Sequence, residues 1–522
     1  MQLLNQLTIS QLTCFWTAWV FFMFSIIFFH SYKVKFALLF LVLGAFVVGY
    51  FMITLDPFLN LWDERIHALV AKNMGNNFFK PTLYANPLLE YNYQNWTHNH
   101  IWVHKQPLYL WQMAASIKIF GNNIIGVRMP SVIMHAIIPY FIYRMGKITT
   151  NDAVGFYGGL FFAVAMFPLE LCSGFYSTDH NDMAFLFYIT ASFWAWFEFQ
   201  ASPKKRWIIL IGLFSGCAIL VKWLVGLLIY AIWGITGLMD LKKAKWNFIV
   251  LLPMVYALLV TVIVVLPWQL YIRAAFPIET AHEMQYNTRH FFEPIEGHDG
   301  AWWYHFDVLK EIYGSGFLMP FVLVISLIAL LILVKQIKYR IAIAGSITIV
   351  YAFYSLAATK MVSFGIIVCP FVFMGYAALV YQATRYRNLI PNKAMQVVLL
   401  SVLVLSPCYA ILDLNKIKHH HSDISPAVKW QRQMHEKEMQ LVNHLIKNEN
   451  KYPSKQKVLF NVTGYVNSHI PVMFYTNYVA YDFVPTIQQI KQVRSKGYTT
   501  FIVDNGNLPV EVTDAEMIVI KP

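Results

Sequence analysis

The chain has 522 residues, of which 58 % are hydrophobic and only 13 % charged. Soluble domains carry roughly 25 % charged residues, so this balance excludes an ordinary soluble enzyme, and the apolar content excludes a disordered chain. The formal net charge of +13 goes with Lys and Arg placed on cytoplasmic loops of a membrane protein and not with nucleic acid. The five cysteines, Cys14, Cys172, Cys217, Cys369 and Cys408, all fall in or beside apolar runs without paired spacing. They read as buried apolar residues, not as a disulfide frame or a zinc site.

The predicted elements begin with apolar runs over 11–30 and 36–55, each long enough to span a bilayer. Ten more follow at 127–145, 153–171, 183–200, 207–221, 224–239, 248–270, 314–334, 341–358, 364–383 and 395–413, giving about twelve spans. Basic residues recur at every second connection: Lys33 and Lys35; Arg144 and Lys147; Lys204, Lys205 and Arg206; Lys242, Lys243 and Lys245; Lys335, Lys338 and Arg340; Arg385, Arg387 and Lys393. By the positive-inside rule these mark the cytoplasmic face. The remaining connections, 56–126, 177–182, 221–223, 271–313 and 358–364, then lie outside, as does the tail. The long first outer loop predicts interfacial helices over 64–74 and 91–102. The tail, 414–522, changes composition. It predicts an amphipathic helix over 428–447, strands over 457–462 and 499–504, and a helix over 486–496, making a small α/β extramembrane domain after a membrane domain of 1–413.

Few ionisable residues stand on the outer side, where they are costly unless used. Asp63 and Glu64 follow the second span directly. An adjacent carboxylate pair at a membrane boundary suits a general base with an orienting partner; it also suits a helix N-terminus, which favours acids. His104-Lys105-Gln106-Pro107 places a cation beside a Pro-started helix, which suits phosphate or a snorkelling lysine. Lys222 and Lys360 are isolated cations in short outer turns, against the rule that the other lysines obey, and an anionic partner explains the breach. Asp182 either faces the same cavity or caps the next span. Histidines crowd the outer loops: His67, His98, His100, His104, His180, His282, His290, His298 and His305. The i, i+4 spacing of His100 and His104 suits one helix face and a divalent metal, or simply polar residues near lipid headgroups. The run His419-His420-His421 reads as an exposed stretch.

Taken in order, these residues resemble the GT-C membrane glycosyltransferases of the protein O-mannosyltransferase and lipid A aminoarabinose transferase type. Asp63, Glu64, Ala68, Ala71 and Met74 fit the pattern D-E-A-x-Y-A-x-x-A-x-x-M, with Arg65 for Ala and His67 for Tyr. The stretch His104, Lys105, Gln106, Pro107, Leu108 and Tyr109 stands against E-K-P-P-L-x-Y/W, with Lys105, Pro107 and Leu108 in place, His104 at the acidic position and Gln106 at the first Pro. Phe120, Gly121, Arg128, Pro130 and Ser131 fit F-G-x6-R-x-P-S. Lys222-Trp223, Thr359-Lys360 with Pro370, and 298–304 match later turns. A WWD motif is lacking, since Tyr304 follows Trp302-Trp303, which sets the chain apart from the oligosaccharyltransferase branch.

The resemblance implies a polytopic helical GT-C fold and inverting transfer of a sugar from a polyprenyl-phosphate donor to a lipid, glycan or protein acceptor. The setting it implies is the outer face of a bacterial inner membrane. It gives Asp63 and Glu64 catalytic roles and sets Lys105, Arg128, Lys222 and Lys360 on the donor phosphate, where fixed cations stabilise the leaving group. Tyr84, Asp182 and His298 become substrate-binding candidates. A divalent metal (Zn, Mg or Mn) would be held by His104 and Glu283. A transporter or flippase of polyprenyl-linked glycans is the competing reading. Transporters usually show paired halves and broken midplane helices, and the sequence displays neither.

Overall fold

The computed structural model describes residues 7–521 apart from 176–178, 315–317, 386–391, 413–416, 418–425, 453–455, 465, 507, 510–511 and 513–516. It is a helical bundle with a small sheet near the C-terminus. Its helices are α1 (Ile9–His30), α2 (Val34–Ile53), α3 (Asp63–Met74), α4 (Leu108–Phe120), α5 (Ile124–Thr149), α6 (Asp152–Ala163), α7 (Met166–Cys172), α8 (Asp179–Ala201), α9 (Lys205–Lys222), α10 (Leu228–Lys243), α11 (Leu252–Ala275), α12 (Pro277–Phe292), α13 (Tyr304–Asp307), α14 (Leu309–Tyr313), α15 (Met319–Leu333), α16 (Ile337–Leu356), α17 (Cys369–Arg385) and α18 (Lys393–Ile411).

Each span expected from the sequence coincides with a helix or a bent pair. By length and apolarity, however, seven helical stretches among the described residues suffice to cross a membrane, or eight with the pair α6–α7, bent by 51°. The difference from about twelve has physical causes. Helices α9 and α10 form one 39-residue apolar stretch, joined by the 3-10 turn Trp223–Leu227. Helix α8 carries Asp182, Glu198, Tyr188, Trp194 and Trp196 among its apolar residues. Helix α15 has only 15 residues.

Local chemistry sets the helix ends around the long first loop. Thr8 and Gln11 form a capping box at the start of α1. Helix α4 starts directly after Pro107, as expected, and stops at Gly121, whose φ of 89° favours glycine. Asn123 then caps α5 through Gly126 N. The expected helix over 64–74 is present as α3. The expected helix over 91–102 is not: that stretch runs in turns, with a single bridge between Thr82 and Ile101. Asn92 and Asn95 side chains accept from backbone N–H groups two residues on, the local bonding by which Asn favours turns over helix.

Near the C-terminus, α19 (Pro426–Lys447), α20 (His469–Tyr475) and α21 (Ile487–Ser495) accompany strands β1 (Lys457–Phe460), β2 (Tyr478–Ala480), β3 (Thr499–Val503) and β4 (Ile518–Ile520). The strands form one sheet in the order β2-β1-β3-β4, with all three pairings parallel. Strand β1 is buried throughout, as befits a central parallel strand. Strands β2 and β4 and helix α20 escaped the sequence reading, because three-residue strands and a seven-residue helix are too short to show a period.

Helix α3 is the platform on which this unit rests. Arg65 is fully buried and meets Glu438 at 3.1 Å. Lys72 Nζ donates to the carbonyls of Met473, Phe474 and Thr476 at 2.7–2.9 Å, a cation at the C-terminal end of α20. Burial pushes the Glu438 carboxyl up, but His435 and Arg65 more than offset it, taking it from 4.5 down to about 2. A depressed carboxyl gives stability that is complete above its unfolded value and lost as pH falls through its folded value. Acidification from 4.5 towards 2 is therefore expected to loosen the C-terminal unit, and Glu438→Gln should remove that dependence. Limited proteolysis of the full chain across this pH range checks both.

Candidate active site

The site grows from the N-terminus of α3. Trp62 adopts φ 60°, and the chain then turns Asp63 and Glu64 into the first helical turn, where the helix dipole favours acids. Both are buried, but their surroundings differ. Arg128 of α5 grips Glu64 in two bonds, Nε to Oε1 at 2.6 Å and Nη2 to Oε2 at 2.9 Å. The backbone N–H of Asn60 adds a bond at 2.6 Å, and His180 Nε2 lies 3.2 Å from Oε1. A Cβ on Gly174 would stand 2.3–2.6 Å from this carboxylate, so only glycine lets the chain pass. Burial raises the Glu64 carboxyl, and Arg128 and His180 more than offset it, so it is held below the usual carboxylate range. Glu64 is thus a fixed anion that is spent on its partners and orients its neighbour.

Arg128 accordingly does not join the other cations expected on the phosphate. Its guanidinium is fully buried and also donates to the carbonyls of Ile53, Asp56 and Phe58 at 2.7–2.9 Å. Ser131, three residues on, bonds His180 Nδ1 at 2.7 Å. The F-G-x6-R-x-P-S stretch therefore positions Glu64.

Lys105 is the cation that remains available. It is half-buried and makes no hydrogen bond or ion pair among the described residues. Its charge reaches both His67 of α3 and His290 of α12. Burial first, and Lys105 next, holds His67 well below its ordinary value and lowers His290 to about 4. Two struts fix the loop that carries it. His104 Nδ1 meets Glu283 Oε2 of α12 at 2.8 Å and stacks on Trp96 at 4.7 Å. Gln106 accepts from Gln269 of α11 at 2.8 Å.

Facing this loop is the head of α8. His67 stands 3.8 Å from Asp179 and packs edge-to-face on Tyr109 at 5.0 Å. Asp63, Asp179 and Asp182 all act on the buried Tyr109 hydroxyl, burial being the larger influence in raising it. Asp182 bonds Lys222, whose ammonium also lies 4.5 Å over the Phe364 ring. The structure thus links Asp63, Lys105, Asp182 and Lys222 to His67, Tyr109 and Asp179 through a chain of contacts and charge influences.

Other expected residues stand elsewhere. Lys360 is buried, and its Nζ donates to the carbonyls of Tyr354, Ser355 and Ala357 at the end of α16; it closes that helix. Tyr84 donates to Ala480 at 3.0 Å and stacks on Tyr481 at 5.3 Å, so it anchors the C-terminal unit. His298 contributes its carbonyl to Lys360 N at 3.0 Å. His100 and His104 do not share a helix face: their stretch is irregular, and His100 bonds the Tyr84 carbonyl at 2.5 Å. His419-His420-His421 lie outside the described residues. His67 and Tyr109 stand in the sequence motifs without an assigned role in the reaction, because a motif position does not show what its side chain faces.

Two side-chain trios among the described residues could hold a metal ion: Glu64, Asp179 and His180, and separately His98, His469 and Asp482. The first includes Glu64, already committed to Arg128. His104 and Glu283, bonded to each other, supply two donors where a zinc site takes three or four from protein. They fit a metal poorly and fit the positioning of Lys105 well.

The chain is similar to several known proteins. The family described as dolichyl-phosphate-mannose-protein mannosyltransferase matches residues 104–271. An undecaprenyl phosphate-alpha-4-amino-4-deoxy-L-arabinose arabinosyl transferase of Pseudomonas fluorescens is 24 % identical over 227 residues, 41 % of this chain. The chain spans 38 % of the length of that curated relative. The crystal structure of ArnT from Cupriavidus metallidurans bound to undecaprenyl phosphate superposes with a TM-score of 0.59 at 12 % identity, over 92 % of this chain and 89 % of that one. The archaeal oligosaccharyltransferase AglB from Archaeoglobus fulgidus, in complex with an inhibitory peptide and a dolichol-phosphate, gives 0.53 at 12 % identity, over 85 % and 64 %. The apolar helices make this chain an integral membrane protein, it shares the fold of ArnT over 92 % of its length, and the stretch matched by the mannosyltransferase family carries Lys105 and Arg128.

Proposed function

We propose that the chain transfers a sugar, with inversion, from a polyprenyl-phosphate donor to a lipid, glycan or protein acceptor. The observation that carries this reading is Lys105, a half-buried cation without a partner among the described residues, whose charge reaches His67 on the same short helix as Asp63. Both relatives whose structures hold polyprenyl phosphates share the fold, which supports the donor class. The site lies at the loop face opposite the Lys- and Arg-rich connections, which by the charge rule supports an outer-side reaction; in this reading the membrane is a bacterial inner membrane. In the same reading, 1–413 is the transferase domain and 414–522 an extramembrane domain.

In the reaction an acceptor oxygen attacks the anomeric carbon from the face opposite the lipid phosphate. The new C–O bond forms as the bond from carbon to phosphate oxygen breaks, and polyprenyl phosphate leaves with the electron pair. Lys105, with Lys222 behind it, stabilises the charge that develops on that phosphate. Phosphate leaves as an anion and needs no proton. A hydroxyl acceptor gives its proton to Asp63. Glu64, locked by Arg128, fixes the turn that presents Asp63. His104 and Glu283 hold the Lys105 loop.

Incubation of purified protein with an undecaprenyl-phosphate sugar and a membrane lipid extract tests the reading. Release of undecaprenyl phosphate coupled to a sugar-modified product supports it. Movement of the donor across vesicles with no product refutes it in favour of transport.

A further inference from the structure

A second cluster of metal-ligating side chains lies away from these residues, where the first long loop meets the C-terminal unit. His98 comes from the irregular stretch over 91–102. His469 opens α20, and Asp482 follows β2. His98 Nε2 is 3.1 Å from Asp482 Oδ2, and His469 Nδ1 is 3.6 Å from the same oxygen. The two imidazoles stack at 5.0 Å, and one donor atom from each of the three residues lies within 4.8 Å of the others.

Three features separate this trio from a chance contact. His469 is fully buried, and neither ring nitrogen has a hydrogen-bond partner among the described residues. Leaving such a group unsatisfied is costly. Zinc takes His nitrogen and carboxylate oxygen at about 2.0–2.2 Å, so tetrahedral neighbours stand about 3.3–3.5 Å apart; the observed 3.1 and 3.6 Å bracket that spacing. The third feature is outer support for the ligand ring. His98 Nδ1 is held by the Thr97 hydroxyl at 2.7 Å and the Asn95 side-chain amide at 3.4 Å. These contacts fix the ring with Nε2 turned towards Asp482, as in metal-ligating histidines whose other nitrogen is held. Two imidazoles and one carboxylate suit a divalent transition ion, zinc above all. His98 and Asp482 remain a third exposed, which leaves an open side for water as fourth ligand.

We propose that His98, His469 and Asp482 bind one zinc-class divalent ion that pins the first long loop to the C-terminal unit. The ion ties together segments 371 and 384 residues apart, and it accounts for a turn-rich loop being held without regular structure. The site is structural and stands whether or not the chain transfers sugar.

The test uses full-length protein in detergent, stripped with a chelator and titrated with zinc ion. Wild type is expected to bind one equivalent more than His98→Gln and His469→Gln, or to bind that equivalent at least tenfold more tightly. Zinc should also raise the thermal midpoint of wild type and leave that of both variants in place. If His469→Gln, at a buried position, fails to fold, His98→Gln decides. Equal stoichiometry in wild type and His98→Gln with less than a tenfold change in affinity overturns the proposal, as does an equal rise in midpoint.

Discussion

Lys105→Ala is expected to slow sugar transfer by about 10²–10³-fold, the usual effect of removing one fixed group that stabilises charge in the transition state. The loop that carries Lys105 is held by His104 and Gln106, and Lys105 itself makes no bond among the described residues. The variant should therefore fold normally and bind its lipid less well, while Lys105→Arg keeps part of the rate. Asp63→Asn is expected to lose about 10²–10⁴-fold with a hydroxyl acceptor. Radiolabelled donor turnover, measured beside thermal unfolding, separates lost chemistry from lost fold. Full transfer in Lys105→Ala would remove Lys105 from the reaction.

The opposite signature is expected at Arg128 and Glu64. Arg128→Ala leaves the Glu64 carboxylate and three carbonyls buried without their donor. Breaking a buried pair from one side costs about 3–5 kcal/mol, enough to remove most folded protein from the membrane. Glu64→Gln keeps the shape but leaves the guanidinium uncompensated, with a smaller loss. Detergent-solubilised yield and the thermal midpoint read both. A well-folded Arg128→Ala that loses only turnover would return Arg128 to the phosphate, where the sequence motif had set it.

The contrast between Lys105 and Arg128 shows what sequence can carry. Asp63, Lys105, Asp182 and Lys222 were legible because charge is rare beside apolar spans, and the structure links all four. The resemblance names His104 and Glu283 together only as metal ligands; the structure bonds them to each other. What spacing could not show is which charges are already spent. Arg128 and Lys360 look alike in sequence to Lys105, yet one is consumed by Glu64 and the other by the last carbonyls of α16. Tyr84, placed near substrate from the sequence, turns instead to Ala480, almost four hundred residues away. Such pairings are set by packing between elements distant along the chain, and no local period records them. The sequence reading separates spans at 207–221 and 224–239, and the structure has two helices there, α9 and α10, on one 39-residue apolar stretch.

Helix α3 is only 12 residues long, and it serves two masters. Its first turn carries Asp63, while Arg65 and Lys72 fasten the C-terminal unit to the same rigid rod. A helix transmits rotation along its whole length, so a tug on one end is felt at the other as a change of aim. In the proposed reaction the C-terminal unit, none of whose described side chains is placed at the reacting bond, thereby becomes the rudder of Asp63. Anything that grips or frees it, whether acid at Glu438 or an ion between His98 and His469, steers the first turn of α3.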